Sequence, residues 1–178
     1  MGLLADVSAT VKAMLGTAQD EARALGHGFI GTEHLVIALL GDVDSPGVAE
    51  ARRQGATAED ACRRADEAFQ QSDAPPAFVT DEEALAAIGV DLPSVRARAE
   101  EEFGQGSVPM RVGAPAFTPG VKTAIEKAVE FAHAAGRDAA APDDVLRAVI
   151  DARDSVGAQA LAAMTTDLPR VAGAAASR

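Results

Sequence analysis

Two stretches decide the fold. Val7–Leu40 reads VSATVKAMLGTAQDEARALGHGFIGTEHLVIALL, and Phe117–Ile150 reads FTPGVKTAIEKAVEFAHAAGRDAAAPDDVLRAVI. Set Val7 on Phe117 and keep that single offset without gaps. Ser8 then meets Thr118, Val11 meets Val121, Lys12 meets Lys122, Leu15 meets Ile125, Ala18 meets Ala128, Ala22 meets Ala132 and Gly26 meets Gly136. The register survives the following loop: Glu33 meets Asp143, Leu35 meets Val145, Leu40 meets Ile150 and Gly47 meets Gly157. Unrelated amphipathic helices would agree on the apolar stripe alone. Agreement on cap, stripe, stop and first-turn acid means one unit present twice.

Each feature has a local cause. Ser8 is an N-cap, because its hydroxyl can accept a backbone N–H of the first turn. Val11, Met14, Leu15, Ala18, Ala22 and Leu25 recur at three and four, which predicts one buried helix stripe ended by Gly26. Thr32 reads as the next N-cap, with Glu33 in the first turn favoured by the helix dipole and Gly41 as the stop. Ser45-Pro46 predicts a third helix and Thr57 a fourth that runs to about Phe69.

Residues 71–80, with Pro75-Pro76, read as a loop. Helical patterns follow at about Asp81–Ile88 and Leu92–Phe103. Gly and Pro crowd residues 104–116, which predicts a linker. A smaller echo links Gly89–Arg96 (GVDLPSVR) to Thr165–Val171 (TTDLPRV), and Gly55-Ala56-Thr57 fits the same closing element, so either could pack natively. The expected organisation is a first repeat at 1–70, an inserted helical segment at 71–103, the linker at 104–116 and a second repeat at 117–178. The expected fold class is all-α, a pseudo-twofold tandem repeat of four-helix units with about eight helices plus the inserted ones.

Composition agrees. Apolar residues make up 48% and aromatics 3%, with no Trp or Tyr, so the core must be Ala, Leu, Val and Ile, which favours closely packed helices. The net charge of −11 repels phosphate backbones and argues against nucleic-acid binding. It also argues for a monomer. No apolar run is long enough to span a membrane, and Met1–Leu15 lacks a signal-peptide layout, so a cytoplasmic protein is expected. The single Cys62 rules out an internal disulfide, and the adjacent Arg63 and Arg64 would lower its pKa slightly. No phosphate-binding GxxxxGK loop, nucleophile elbow or HExxH pattern occurs, so no catalytic residue, metal or cofactor is expected.

The run Ala18–His27 (AQDEARALGH) followed by Ile30–Leu35 (IGTEHL) resembles the signature of the Clp N-terminal repeat, AQxEAxxLGHxxIGTEHLL. Phe117-Thr118-Pro119 is similar to that family's FTPRAKK opening. The chain departs where Pro142-Asp143-Asp144-Val145 replaces Thr-Glu-His-Leu, where Arg137 replaces a His, and where Leu3 and Leu4 stand in place of a Phe. The resemblance implies a non-catalytic double Clp domain of the kind that precedes ATPase rings and recruits protein substrates or adaptors. It further implies phosphoarginine recognition at Ser8 with Glu33 and at Thr118 with Asp143. A helix N-terminus offers N–H donors to phosphate, and a carboxylate pairs with a guanidinium; the plainer reading is that these residues only cap helices. Phe117 and Lys122 are the positions the resemblance implies for cyclic-peptide antibiotics, although Phe117 also reads as a staple on its own helix. The insertion and the Ala-rich tail Ala172–Ser177 read as a free-standing capture or decoy protein. The alternative is the excised N-terminal domain of a full-length Clp ATPase.

Overall fold

The computed structural model describes residues 5–71 and 115–176. It holds eight helices among them: α1 (Ala9–Ala24), α2 (Thr32–Asp42), α3 (Pro46–Arg53), α4 (Ala58–Gln70), α5 (Pro119–Ala134), α6 (Pro142–Asp151), α7 (Val156–Met164) and α8 (Leu168–Ala175). All the described residues fall in one compact unit. The helical patterns expected at 81–88 and 92–103, the 89–96 echo, and Leu3 and Leu4 lie outside them.

The stripe positions are buried in both copies: Val11 and Val121, Leu15 and Ile125, Ala18 and Ala128, Ala22 and Ala132, Leu35 and Val145, Leu40 and Ile150. Alanine at the central stripe positions lets helices approach closely. α1 lies on α2 as α5 lies on α6, and Leu39, Leu146 and Leu161 fill the shared interior. Gly26 (φ 71°) and Gly136 (φ 73°) occupy the left-handed region and turn the chain after α1 and α5, as their matched places in the repeat require.

The copies are joined by reciprocal pairing. Two-residue strands β1 (Phe29–Ile30) and β2 (Ala116–Phe117) run parallel, with Ile30 opposite Phe117. The mirror of that pair is the parallel bridge between Val7 and Ala140. Thus the residue ahead of each repeat's first helix docks on the residue ahead of the other repeat's second helix. Ala116, expected at the end of a linker, is already strand.

Three boundaries differ from expectation. The N-cap of α2 is Gly31, not Thr32, because His34 Nδ1 accepts the Gly31 N–H at 3.0 Å and so supplies the cap from inside the helix. α2 passes through Gly41 to Asp42. Gly41 is not left-handed, and the last carbonyls are satisfied instead by Arg52 of α3. Ala172–Ala175, read in the sequence as part of an Ala-rich tail, belong to α8, where Val171 and Ala175 are buried.

Among the described residues, the first repeat closes with the element that Thr57 opens. Its hydroxyl accepts the Asp60 N–H at 3.1 Å, and α4 packs on α2 and α7. In the second repeat Asp167 caps α8, which packs on α6 and α3. Each closing helix therefore touches both repeats.

Candidate functional site: two corners built across the repeats

Ser8 caps α1: its hydroxyl accepts the Val11 N–H at 3.3 Å, and its own N–H donates to Ala140 O at 3.0 Å. Ala140 lies just before α6, so the α1 N-terminus is held against the α6 N-terminus. Between them opens a cavity of about 320 Å³, lined among others by Ser8, Thr10, Ser45, Arg137, Asp143 and Asp144. The cap and the acids that meet here come from different repeats. Ser8 shares its surroundings with Asp143, not with the Glu33 of its own copy.

The second corner is the mirror. Thr118 Oγ1 accepts the Val121 N–H at 3.3 Å, and the Thr118 N–H donates to Ile30 O at 3.0 Å. Gly120 sits between Thr118 and Thr32: a Cβ there would lie 3.9 Å from Thr118 Oγ1 and 3.8 Å from Thr32 Cγ2. The α5 N-terminus thus abuts the first turn of α2, which carries Glu33. Pro119 has no N–H, so the α5 end offers one helix-end donor fewer than the α1 end, which opens on Ala9.

Both acids are buried. Asp143 Oδ1 accepts from the Ser45 hydroxyl at 2.6 Å and from the Gly47 N–H at 3.1 Å, which ties α6 to the start of α3 in the other repeat. The reciprocal tie uses Thr32, whose Oγ1 accepts the Gly157 N–H of α7 at 3.1 Å. Glu33 folds its carboxylate over Gly31, where a side chain on residue 31 would collide with it. One of its oxygens lies 3.2 Å from His34 Nδ1.

Behind Glu33, His34 and His27 form a buried pair, with His27 Nδ1 and His34 Nε2 3.0 Å apart. The chain of bonds fixes the tautomers. His34 Nδ1 accepts from Gly31, so His34 Nε2–H donates to His27 Nδ1, and the proton of His27 sits on Nε2. That Nε2 is buried without a partner, and the ring stacks on Phe69 at 4.3 Å. Burial, then the neighbouring His34, pushes the His27 pKa below the usual histidine value. Donor atoms of His27, Glu33 and His34 lie within 4.8 Å of one another, but both nitrogens of His34 are already used in hydrogen bonds. The donor set is therefore accounted for as a structural hydrogen-bond chain.

At the matching positions the second copy holds Arg137 and Asp144. The guanidinium makes two hydrogen bonds to the carboxylate, 2.6 and 2.7 Å, and Asp144 Oδ2 accepts the Ala141 N–H at 2.8 Å. This exchange raises the Arg137 pKa further. It brings a fixed cation to the wall of the Ser8 cavity.

Phe117 lies in β2, partly buried against the core, and Lys122 is exposed on the first turn of α5. Cys62 behaves opposite to expectation. Burial, and then the Glu21 carboxylate 3.9 Å away, raise its pKa; the flanking arginines do not lower it.

Sequence reasoning missed Ser45, Thr32 and Gly157 as inter-repeat contacts, and it treated Arg137 as a lone departure. The repeat offset carried the signal for Arg137. It sets Arg137 on His27 and Asp144 on His34, so the two changes form a pair.

Comparison with known proteins gives a consistent set of likenesses. A family described as the Clp repeat N-terminal domain matches residues 6–75 and 77–164. The chain is 28% identical over 154 residues to the ATP-dependent Clp protease ATP-binding subunit ClpA homolog of Guillardia theta, covering 86% of this chain and 14% of that one. It is 26% identical over 150 residues to the chloroplastic chaperone protein ClpC1 of Oryza sativa subsp. japonica, covering 84% and 12%. In fold it resembles the N-terminal domain of the caseinolytic protease associated chaperone ClpD from Arabidopsis thaliana. The TM-score is 0.62 at 16% identity, over 96% of this chain and 92% of that one.

Proposed function

The chain belongs to the Clp repeat N-terminal domain family, and from that premise we propose that it is a non-catalytic recognition module for protein substrates or adaptors in Clp-dependent protein quality control. The chain spans about one-seventh of the curated relatives named above (14% and 12%), so their ATP-dependent activity is not carried over to it.

The observation that carries the reading is the Ser8 cavity. It joins the unpaired first-turn amides of α1, the Arg137 cation and the Asp143 and Asp144 carboxylates, contributed by opposite repeats. A phosphoryl group suits the amides and the guanidinium, and a ligand guanidinium suits the carboxylates. Phosphoarginine on a tagged protein has both. The Thr118 corner, where α5 opens on Pro119 and His27 stands at the position of the Arg137 cation, is the weaker of the two.

Calorimetry with free phosphoarginine tests this. The wild type should give saturable heat. Ser8→Ala with Arg137→Gln should weaken binding at least about tenfold, and Glu33→Ala less. An absence of heat in the folded wild type overturns the ligand class.

A second reading has its own support. Both curated relatives named above match only over a small part of their length. That favours a module that works as the N-terminal part of a longer Clp ATPase over a free-standing capture protein.

A further inference from the structure

The two repeats close the C-termini of their second helices differently. In the first, Arg52 of α3 reaches back over the end of α2. Its Nε and Nη2 donate to Leu40 O at 3.2 and 2.8 Å, and Nη2 also donates to Gly41 O at 3.1 Å. Carbonyls of a last helical turn have no partner within their helix and attract cations, so a guanidinium fork there is well matched.

The offset that lays Val7 on Phe117 carries Leu40, Gly41 and Arg52 onto Ile150, Asp151 and Ala162. The arginine has become a methyl group. All three positions line one cavity of about 490 Å³ at the end of α6, walled further by Ala158, Leu168 and Ala172. No described side chain donates to the carbonyls of Ile150 or Asp151. Arg153 also lines the cavity, but it bonds to neither. The Asp151 carboxylate stands at the rim, 3.5 Å from Lys127.

We propose that this cavity receives an arginine side chain of a partner polypeptide. Its guanidinium would bind the Ile150 and Asp151 carbonyls as Arg52 binds their counterparts, and its methylenes would lie on the alanine, leucine and proline walls. Arginine fits better than lysine, because the observed internal contact uses a planar fork with two nitrogens donating. The net charge of −11 favours a basic partner segment. The site lies at the C-terminus of α6, whereas the Ser8 corner lies at its N-terminus, so either can fail alone.

The test uses the full chain and the labelled peptide Ac-Ala-Arg-Ala-amide, read by anisotropy and by amide shift mapping. The expected result is saturable shifts at Asp151, Ala152, Ala162 and Ala172. Affinity should fall at least about tenfold for the citrulline peptide, which keeps the shape and loses the charge. Ala162→Arg should abolish binding and raise the melting temperature by supplying the missing guanidinium internally. Ala162→Met, which fills space without charge, should also block binding. Equal affinity for citrulline, shifts elsewhere, or unchanged binding by folded Ala162→Arg overturns the proposal.

Discussion

Arg137 grips Asp144 through two hydrogen bonds of 2.6 and 2.7 Å, at the place where the first repeat sets His27 against His34 at 3.0 Å. One geometric job, bracing the first turn of a repeat's second helix, is done by a neutral aromatic pair in one copy and an ion pair in the other. In both, the helical partner also takes the N-cap amide, Gly31 or Ala141.

Arg137→Ala leaves a buried Asp144 carboxylate with only a backbone donor. The expected cost is about 2 kcal/mol, below the roughly 3–5 of a fully buried pair because the Arg137 side chain is 33% exposed. Urea denaturation of the single variant and of Arg137→His with Asp144→His checks it. The double variant, which installs the first repeat's solution, should recover part of the loss.

The inter-repeat ties should show in stability. Asp143→Ala strips the acceptor from the Ser45 hydroxyl and the Gly47 amide, at an expected cost of about 2 kcal/mol. Thr32→Val removes the single acceptor of the Gly157 amide, at about 1 kcal/mol. Equilibrium unfolding should also lose cooperativity in neither case, because the strands still join the copies.

Gly157 and Gly16 should respond oppositely to alanine. A Cβ at Gly157 would lie 2.5 Å from the backbone oxygen of Thr32, so Gly157→Ala should cost about 1–3 kcal/mol. Gly16, inside α1 with nothing within 4 Å of such an atom, should gain about 0.5–1 kcal/mol. Melting temperatures measured side by side distinguish the two.

Stability should depend on pH through His27. Its folded pKa is depressed, so between the folded value and the ordinary value of 6.5 the unfolded chain binds more protons. Stability therefore rises with pH across that window. It is fully present above about 6.5 and is lost as pH falls toward the folded value. Glu33 and Asp66 oppose the shift but less strongly. Unfolding free energies at pH 7.5 and 5.5 should differ less in His27→Asn, whose Oδ1 can accept from His34 without titrating.

The duplication was legible because caps, stripe and glycine stops repeat in register, and each is a local demand of a helix on its sequence. Gly26 and Gly136 are the clearest cases. Contacts across the repeats were not legible. An offset tells which residues are equivalent, not which ones touch, and here the touching pairs cross: the Ser8 N–H donates to Ala140, and the Thr118 N–H to Ile30. Thr32 looked like a cap for its own helix and instead caps α7. Gly41 looked like a stop, but the stop is made by Arg52, eleven positions further along the chain. Cys62 was read from its sequence neighbours, while its pKa is governed by Glu21 from another helix.

Amide-resolved titration with phosphoarginine reaches the core of this account. One ligand should move Ala9 and Thr10 of the first repeat together with Asp143 and Asp144 of the second, all following a single dissociation constant. Shifts confined to one repeat, or no shifts at either helix N-terminus, would contradict a recognition corner shared between the copies.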